Sequence, residues 1–243
     1  MKGIILAGGT GSRLMPLTKI TNKHLLPVGK EPMIIHGVNK LVESGINDIM
    51  IVTGIEHMGD MVTLLGSGKD LNCQITYKVQ DEPDGIAGAL RLCENFVGQD
   101  SATVLLGDNI FQDSLAAILS NFRKLQSNQK GPVCSFAIKE VEDPQRFGVA
   151  EISDGKILSI EEKPKQPKSN YCITGIYVYD ATIFEFIKTL RKSNRGEYEI
   201  TDINNEYVKL NGATYTILNG WWTDAGTHES YHRANLLIRG INE

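Results

Sequence analysis

A chain of 243 residues, 41% hydrophobic and 22% charged, has the size and composition of one α/β domain, or two small ones, around a sizeable core. Its net charge is −4, from 25 basic and 29 acidic residues, so no general basic field exists to hold nucleic acid and any anion must be bound locally. The apolar run at residues 4–7 is too short for a signal-peptide core and no stretch approaches membrane-spanning length, so a cytoplasmic location is expected.

Residues 2–14 read KGIILAGGTGSRL: a buried strand that stops at Gly8, Gly9 and Gly11, with Arg13 directly after. A short strand feeding a glycine loop presents backbone N–H groups to a phosphate, and a Cβ there would hold the anion off. A plain strand-to-helix turn is the alternative. Two familiar loops are excluded. The Walker pattern requires Gly-Lys-Ser/Thr where Gly11-Ser12-Arg13 stands. The dinucleotide fingerprint requires a third glycine where Leu14 stands, and an acidic end to a second strand that here runs into Gly54.

Further on, Lys23 precedes a short apolar run, and helical spacing predicts a helix over 32–44 with Gly45 as its stop. Strands are predicted at 48–53, 74–79 and 102–106, alternating with helices near 57–65 and 85–97. Such alternation implies a mostly parallel sheet covered on both faces. Past residue 132 the rhythm changes. Strands at 133–141, 147–152, 157–161 and 172–179, separated by short polar turns, imply antiparallel pairing. Helices at 181–191 and 201–210 follow, the second with Thr201 as its cap, then a strand at 213–218 and a last helix from 228. No linker divides the chain. It reads as a single domain over 1–243, with 1–131 mainly one binding portion and 132–243 mainly another.

Cys73, Cys93, Cys134 and Cys172 are widely spaced among apolar neighbours, as buried thiols are. His228 and His232 have the spacing of a metal pair but no HExxH glutamate, and read as polar helix positions. Ligands of open α/β sheets sit beyond the carboxyl ends of the parallel strands. There Gly107-Asp108-Asn109 sets an aspartate at the mouth of a site, suited to a hard metal ion or to capping the next helix. Asp224, in WWTDAGT, is a second such carboxylate or a loop cap. Mg²⁺ commonly takes one or two protein carboxylates, so the two together would suffice.

The segments GIILAGGTGSRL, KHLLPVGKEPMI, QDEPDGIAGAL, LLGDNIF, RFGVAEI, EEKPKQPKSNYCITGIYVYD, RGEYEITDIN and WWTDAGTHES occur in this order. Together they resemble the motif series of the sugar-1-phosphate nucleotidyltransferases, in particular the branch that transfers thymidylyl groups to glucose 1-phosphate. The likeness runs from residue 2 to about 232. It implies a three-layer α/β/α, Rossmann-like nucleotidyltransferase fold, mostly parallel with a smaller antiparallel portion. The implied reaction joins dTTP and α-D-glucose 1-phosphate into dTDP-glucose, with release of pyrophosphate, for deoxysugar and usually rhamnose synthesis. Mg²⁺ assists in-line attack at the α-phosphorus.

Carried over position by position, the resemblance assigns Arg13, Lys23 and Lys163 to catalysis. Leu6, Gly8, Gly9, Gly11, Gln80, Pro83, Asp84 and Gly85 are assigned to the nucleotide. Asn109, Gly148, Glu162, Tyr171, Thr174, Gly175, Arg195 and Glu197 are assigned to the sugar phosphate, and Asp108 and Asp224 to the metal. A homo-oligomer, by resemblance a tetramer, is expected. The chain departs from its relatives in two places. His24 stands where many have Gln, so neither a base nor a phosphate contact is expected of it. The chain also ends soon after the last motif, whereas longer thymidylyltransferases continue into a helical segment with a regulatory nucleotide site. Feedback through such a site is therefore not expected. A UTP-using uridylyltransferase and a catalytically silent nucleotide-sugar sensor are the alternative readings.

Overall fold

The computed structural model describes residues 1–241. In chain order its elements begin with β1 (Lys2–Ala7), β2 (Pro27–Val28), β3 (Glu31–Pro32), α1 (Met33–Glu43), β4 (Asp48–Gly54), α2 (Met58–Leu65) and β5 (Gln74–Gln80). Then come α3 (Ile86–Arg91), α4 (Glu94–Val97), β6 (Ala102–Leu106), β7 (Asn109–Phe111), α5 (Ala116–Asn128) and β8 (Cys134–Glu140). The remainder is β9 (Gly148–Ser153), β10 (Lys156–Glu162), β11 (Tyr171–Tyr179), α6 (Ile183–Thr189), α7 (Ile200–Lys209), β12 (Ala213–Ile217), β13 (Trp222–Asp224) and α8 (His228–Leu237). Parallel and antiparallel strand pairs both occur, with helices between them, so the fold is of the mixed α/β class.

The chain forms two compact units that interleave in sequence. One, here the glycine-loop unit, holds Lys2–Pro83, Leu105–Ser114 and Gly220–Glu243. The other, the Lys163 unit, holds Asp84–Val104 and Leu115–Asn219 together with Met1. Residues 84–104 thus group with the later part of the chain, and 220–243 with the earlier.

In the glycine-loop unit, β1, β4 and β5 pair in parallel, with Ile5 opposite Ile51 and Val52 opposite Lys78. Ile4 and Ile5 on β1 are both fully buried, which is how a strand covered on two faces reads in sequence. Burying each is worth roughly 1.5–3 kcal/mol. A smaller core gathers Val28, Met33, Ile110, Ala225 and Ala234, with Trp221 and Tyr231 against it. It anchors α8 and the antiparallel pair β7–β13, in which Asp224 stands opposite Asn109.

In the Lys163 unit β8 pairs antiparallel with β11 and parallel with β12, while β9 and β10 form an antiparallel pair. Its core carries an aromatic cluster, Phe136, Tyr177, Tyr179 and Tyr207. Tyr179 donates to Asn204 Oδ1 at 2.6 Å and Tyr207 to Asp180 Oδ1 at 2.9 Å, so both phenols are satisfied where buried.

Several expectations are corrected. No helix is predicted between 107 and 131, yet α5 lies there, because only Ile118, Leu119 and Phe122 of its thirteen residues are buried. The helix expected over 85–97 is two, with Leu92 and Cys93 bonded back three residues to Ala89 and Leu90 at the junction. Thr201 is not a cap: Glu199, with extended backbone, precedes the first turn of α7. Asp224 does not cap α8 either, since Thr227 and Ser230 form a reciprocal capping box there.

Candidate active site

In the glycine-loop unit, β1 delivers the chain to Gly8, Gly9 and Gly11. Leu6 at its end is buried, and its carbonyl accepts the Gly107 N–H at 2.9 Å, tying β1 to the turn that carries Asp108. A Cβ at Gly8 would lie 2.5 Å from Gln80 Oε1, so the glycine makes room for the buried amide of Gln80. A Cβ at Gly9 would lie 3.6 Å from Lys23 Nζ, so this glycine faces the end of the lysine. Gly11 has φ +66°, a conformation that favours glycine, and its carbonyl accepts from Thr18 Oγ1 at 2.8 Å. Pro83 ends this stretch, exposed.

Lys23 sits on a short turn capped by Asn22, whose side-chain oxygen accepts the His24 N–H at 2.9 Å. The Lys23 ammonium is ion-paired with Asp108, and both side chains are nearly buried. Asn109 Nδ2 donates to the other Asp108 oxygen at 3.1 Å, and Trp222 Nε1 holds Asn109 Oδ1 at 2.7 Å. Burial alone would raise the Asp108 pKa, but the Lys23 and His24 charges and the hydrogen bonds from Lys23 and Asn109 hold it well below the ordinary value. Asp224 shifts the other way, raised by burial and by the Asp108 charge against the opposing pull of Lys23 and Arg13. The buried Asp108 and the half-buried Asp224 are oxygen donors that resist joint ionisation, with a lysine and an arginine beside them.

His24 is buried, with Nδ1 2.6 Å from Asn22 Oδ1. Burial first, then the Lys23 charge, push its pKa down to about 3, so the ring is neutral at physiological pH and packs against Gly107. It takes no cationic role. His228 Nε2 lies 2.8 Å from the Met15 carbonyl, and no group of three metal-ligating side chains exists among the described residues.

In the Lys163 unit, Gly148 and Glu162 face each other across β9–β10. A Cβ at Gly148 would stand 3.4 Å from both Glu162 Oε2 and Thr201 Oγ1. Thr201 donates to Glu162 Oε2 at 2.6 Å. Lys163 follows with φ +46°, its N–H bonded to the Phe147 carbonyl at 2.9 Å and its ammonium 3.8 Å from Glu162 Oε1. Arg195 forks onto Glu199 through Nη2 (2.6 Å) and Nε (3.0 Å), with Glu162 at 3.4 Å and Glu197 at 3.5 Å from the same Nη2. Burial would raise the Glu199 pKa, but the hydrogen bonds from Arg195 and Ser193 bring it below the usual glutamate value.

Asp84 and Gly85 belong to this unit. Gly85 has φ +97°, and a Cβ there would meet the Tyr198 carbonyl at 2.8 Å. Tyr198 N–H in turn donates to the Asp84 carbonyl at 2.8 Å. Gly85 is therefore packed directly beside Glu197. Thr174 is buried and donates to the Ala137 carbonyl at 2.8 Å. Gly175 lies where the β8–β11 register breaks, between Ile173 and Tyr177, and Tyr171 opens β11 half-buried opposite Glu140.

The structure thus gathers Leu6, Gly8, Gly9, Gly11, Arg13, Lys23, Gln80, Asp108, Asn109 and Asp224 in one unit. It gathers Gly85, Gly148, Glu162, Lys163, Thr174, Arg195 and Glu197 in the other. A family model for nucleotidyl transferases matches residues 2–240. The chain belongs to the nucleotidyl transferase family. A glucose-1-phosphate thymidylyltransferase of Neisseria meningitidis is 42% identical over 244 residues, covering 99% of this chain and 83% of the relative. One from Mycolicibacterium smegmatis is 38% identical with the same coverage. A crystal structure described as a Bacillus anthracis glucose-1-phosphate thymidylyltransferase, in complex with sucrose, matches with a TM-score of 0.93 at 57% identity. It covers 100% of this chain and 97% of its own. A UDP-glucose pyrophosphorylase structure, 24% identical over 99% and 98% with a TM-score of 0.85, shares the nucleotidyl transferase fold.

Three residues of this nucleotidyl transferase escape the sequence reading. Glu199 is the chief partner of Arg195, and the only sign of it is an i, i+4 spacing of opposite charges. Thr201, expected as a helix cap, instead braces Glu162. Asn22 orders the Lys23 turn and carries no sequence signal beyond its place before a short helix.

Proposed function

We propose that this nucleotidyl transferase joins dTTP to α-D-glucose 1-phosphate, forming dTDP-glucose and pyrophosphate. The carrying observation is the company each cation keeps. Lys23 is set against Asp108 beside a glycine loop with Arg13 and Asp224, while Lys163 and Arg195 sit among Glu162, Glu197 and Glu199. The relatives named for this activity support the choice of substrates.

The chemistry needs no general base. A phosphate monoester has its second pKa near 6, so the sugar phosphate oxygen is already an anion at pH 7. The obstacle is repulsion between two groups of charge about −2, which at about 5 Å and an effective dielectric of about 20 amounts to roughly 13 kcal/mol. Cations must offset it, and their placement is the catalysis. In this reading the backbone of Gly8, Gly9 and Gly11 holds the triphosphate, Arg13 and Lys23 stand on the departing pyrophosphate, and Lys163 and Arg195 grip the sugar phosphate. Gln80 and Gly85 contact the base, with Pro83 and Asp84 flanking them. Glu162 and Glu197 accept sugar hydroxyls, with Gly148, Tyr171, Thr174 and Gly175 lining that side.

Asp108 and Asp224 fit Mg²⁺ by donor type and by the electrostatic strain between them, and a bound ion would supply charge neutralisation on the phosphates. Lys23, paired with Asp108, keeps that carboxylate ionised. Among the described residues no helix is long and apolar enough to cross a membrane. A homo-oligomer located in the cytoplasm completes the proposal.

Pyrophosphate release with glucose 1-phosphate, assayed across dTTP, UTP, ATP, CTP and GTP, tests the reading. The highest kcat/KM is expected with dTTP. UTP is expected to follow within about 10–200-fold, since one methyl in an apolar pocket is worth about 1–3 kcal/mol. Preference for UTP would make the protein a uridylyltransferase, and no release with any nucleotide would make it a silent sensor.

A further inference from the structure

Arg13 stands apart from the other cations of the site. Lys23 is paired with Asp108, Lys163 lies near Glu162 and Arg195 is forked onto Glu199, whereas Arg13 makes no ion pair among the described residues. Its guanidinium nevertheless has a defined place. Nη2 and Cζ lie 2.9 Å and 3.6 Å from the point that a Cβ on residue 226 would occupy, and Asp224 Oδ1 lies 2.6 Å from the same point. The Gly226 backbone is outside the left-handed region, so glycine supplies space here and not conformational freedom. Its N–H donates to Asp224 Oδ1 at 2.8 Å, and the neighbouring Ala225 N–H donates to the Asp108 carbonyl at 2.8 Å. The turn beneath the guanidinium is therefore tied down on both sides.

We propose that Gly226 is a positioning residue, whose bare backbone is the seat that holds Arg13 on the pyrophosphate side of the bound triphosphate. The inference rests on the nucleotidyl-transfer reading above. Carbon–nitrogen contacts relax at about 3.5–4.0 Å, so a methyl at 226 and the guanidinium cannot share this space. The guanidinium is the free end of a flexible side chain on an exposed residue, and the turn is held by hydrogen bonds. The arginine must yield, and Asp224 Oδ1, closer still to the methyl, must shift with it. A charge displaced by about 1 Å can lose on the order of a hundredfold in rate.

Gly226→Ala should therefore lower kcat about 10–100-fold and raise the KM for pyrophosphate in the reverse reaction, while calorimetric binding of glucose 1-phosphate stays unchanged. In an Arg13→Ala background the same substitution should cost markedly less, leaving only the part that acts through the Asp224 carboxylate. Wild-type kinetics in Gly226→Ala would overturn the seat. So would an equal loss in the Arg13→Ala background, which would place the effect on Asp224. If Gly226→Ala does not fold, the wild-type protein still decides: an NMR cross-peak between the Arg13 Nη2 protons and the Gly226 α-protons is expected, and its absence under conditions that slow their exchange overturns the proposal. A wild-type enzyme inert with every nucleotide would refute the nucleotidyl-transfer reading, whereas an active wild type with an unimpaired Gly226→Ala variant would refute the seat alone.

Discussion

Lys163 holds a left-handed backbone at φ +46°. The other non-glycine residues with positive φ among those described are Asn72, Asp154 and Asn211, the residue types that tolerate it. A lysine there carries strain of about 1–2 kcal/mol from its Cβ against the following carbonyl. Its side chain is half exposed and the carboxylate it pairs with, Glu162, is 3.8 Å away, so little stabilisation is lost with the side chain. Lys163→Asn should therefore be more stable than the wild type by about 0.5–1 kcal/mol, or roughly 1–4 °C in Tm for a chain of this size. Lys163→Gly should gain less, because its unfolded chain is freer. Lys163→Ala keeps the strain and should gain nothing. All three should lose turnover by on the order of 10²–10³, since each removes the charge proposed to meet the reacting phosphate. Scanning calorimetry alongside the pyrophosphate assay separates the two effects. An Asn variant no more stable than Ala would refute the strain, and near-normal kcat in any variant would refute the catalytic role.

Asp108→Asn should weaken Mg²⁺ dependence, read as a higher half-saturating concentration in the pyrophosphate assay. An unchanged titration would remove Asp108 from the metal set. The folded pKa of Glu199 lies below the 4.5 usual for glutamate, so its pairing with Arg195 stabilises the protein above that value and is lost as pH falls through and below it. Urea midpoints of Glu199→Gln should accordingly fall less steeply than those of the wild type as acid is added from pH 5 downward. Parallel curves would show that Glu199 contributes nothing to acid sensitivity.

Much of the site is legible in the sequence because its physics is local. Gly8 and Gly11 follow four apolar residues and must turn the chain, and Asp108 follows a buried strand and must sit at its mouth. What sequence does not show is what arrives from elsewhere. Helix α5 buries a narrow apolar stripe and so lacks a strong period. Glu199 is one acidic residue among many until Arg195 folds onto it. Glu162 draws its brace from Thr201, 39 residues on, a separation no periodicity carries. The interleaving of the two units leaves no compositional trace either, since no linker marks the points where the chain changes unit.

That interleaving bears on how the protein is born. Domains emerge from the ribosome amino-terminal end first. Here the glycine-loop unit is begun by Lys2–Pro83 but also requires Gly220–Glu243, while the Lys163 unit is complete by Asn219. The unit started first is thus finished last. A nascent chain can already have formed the cluster of Glu162, Lys163 and Arg195, yet it holds no Asp224 to stand with Asp108 until residues 220–224 emerge. A copy that stops short of Asp224 would carry the residues proposed to grip a sugar phosphate and lack one of the two carboxylates proposed to hold the metal.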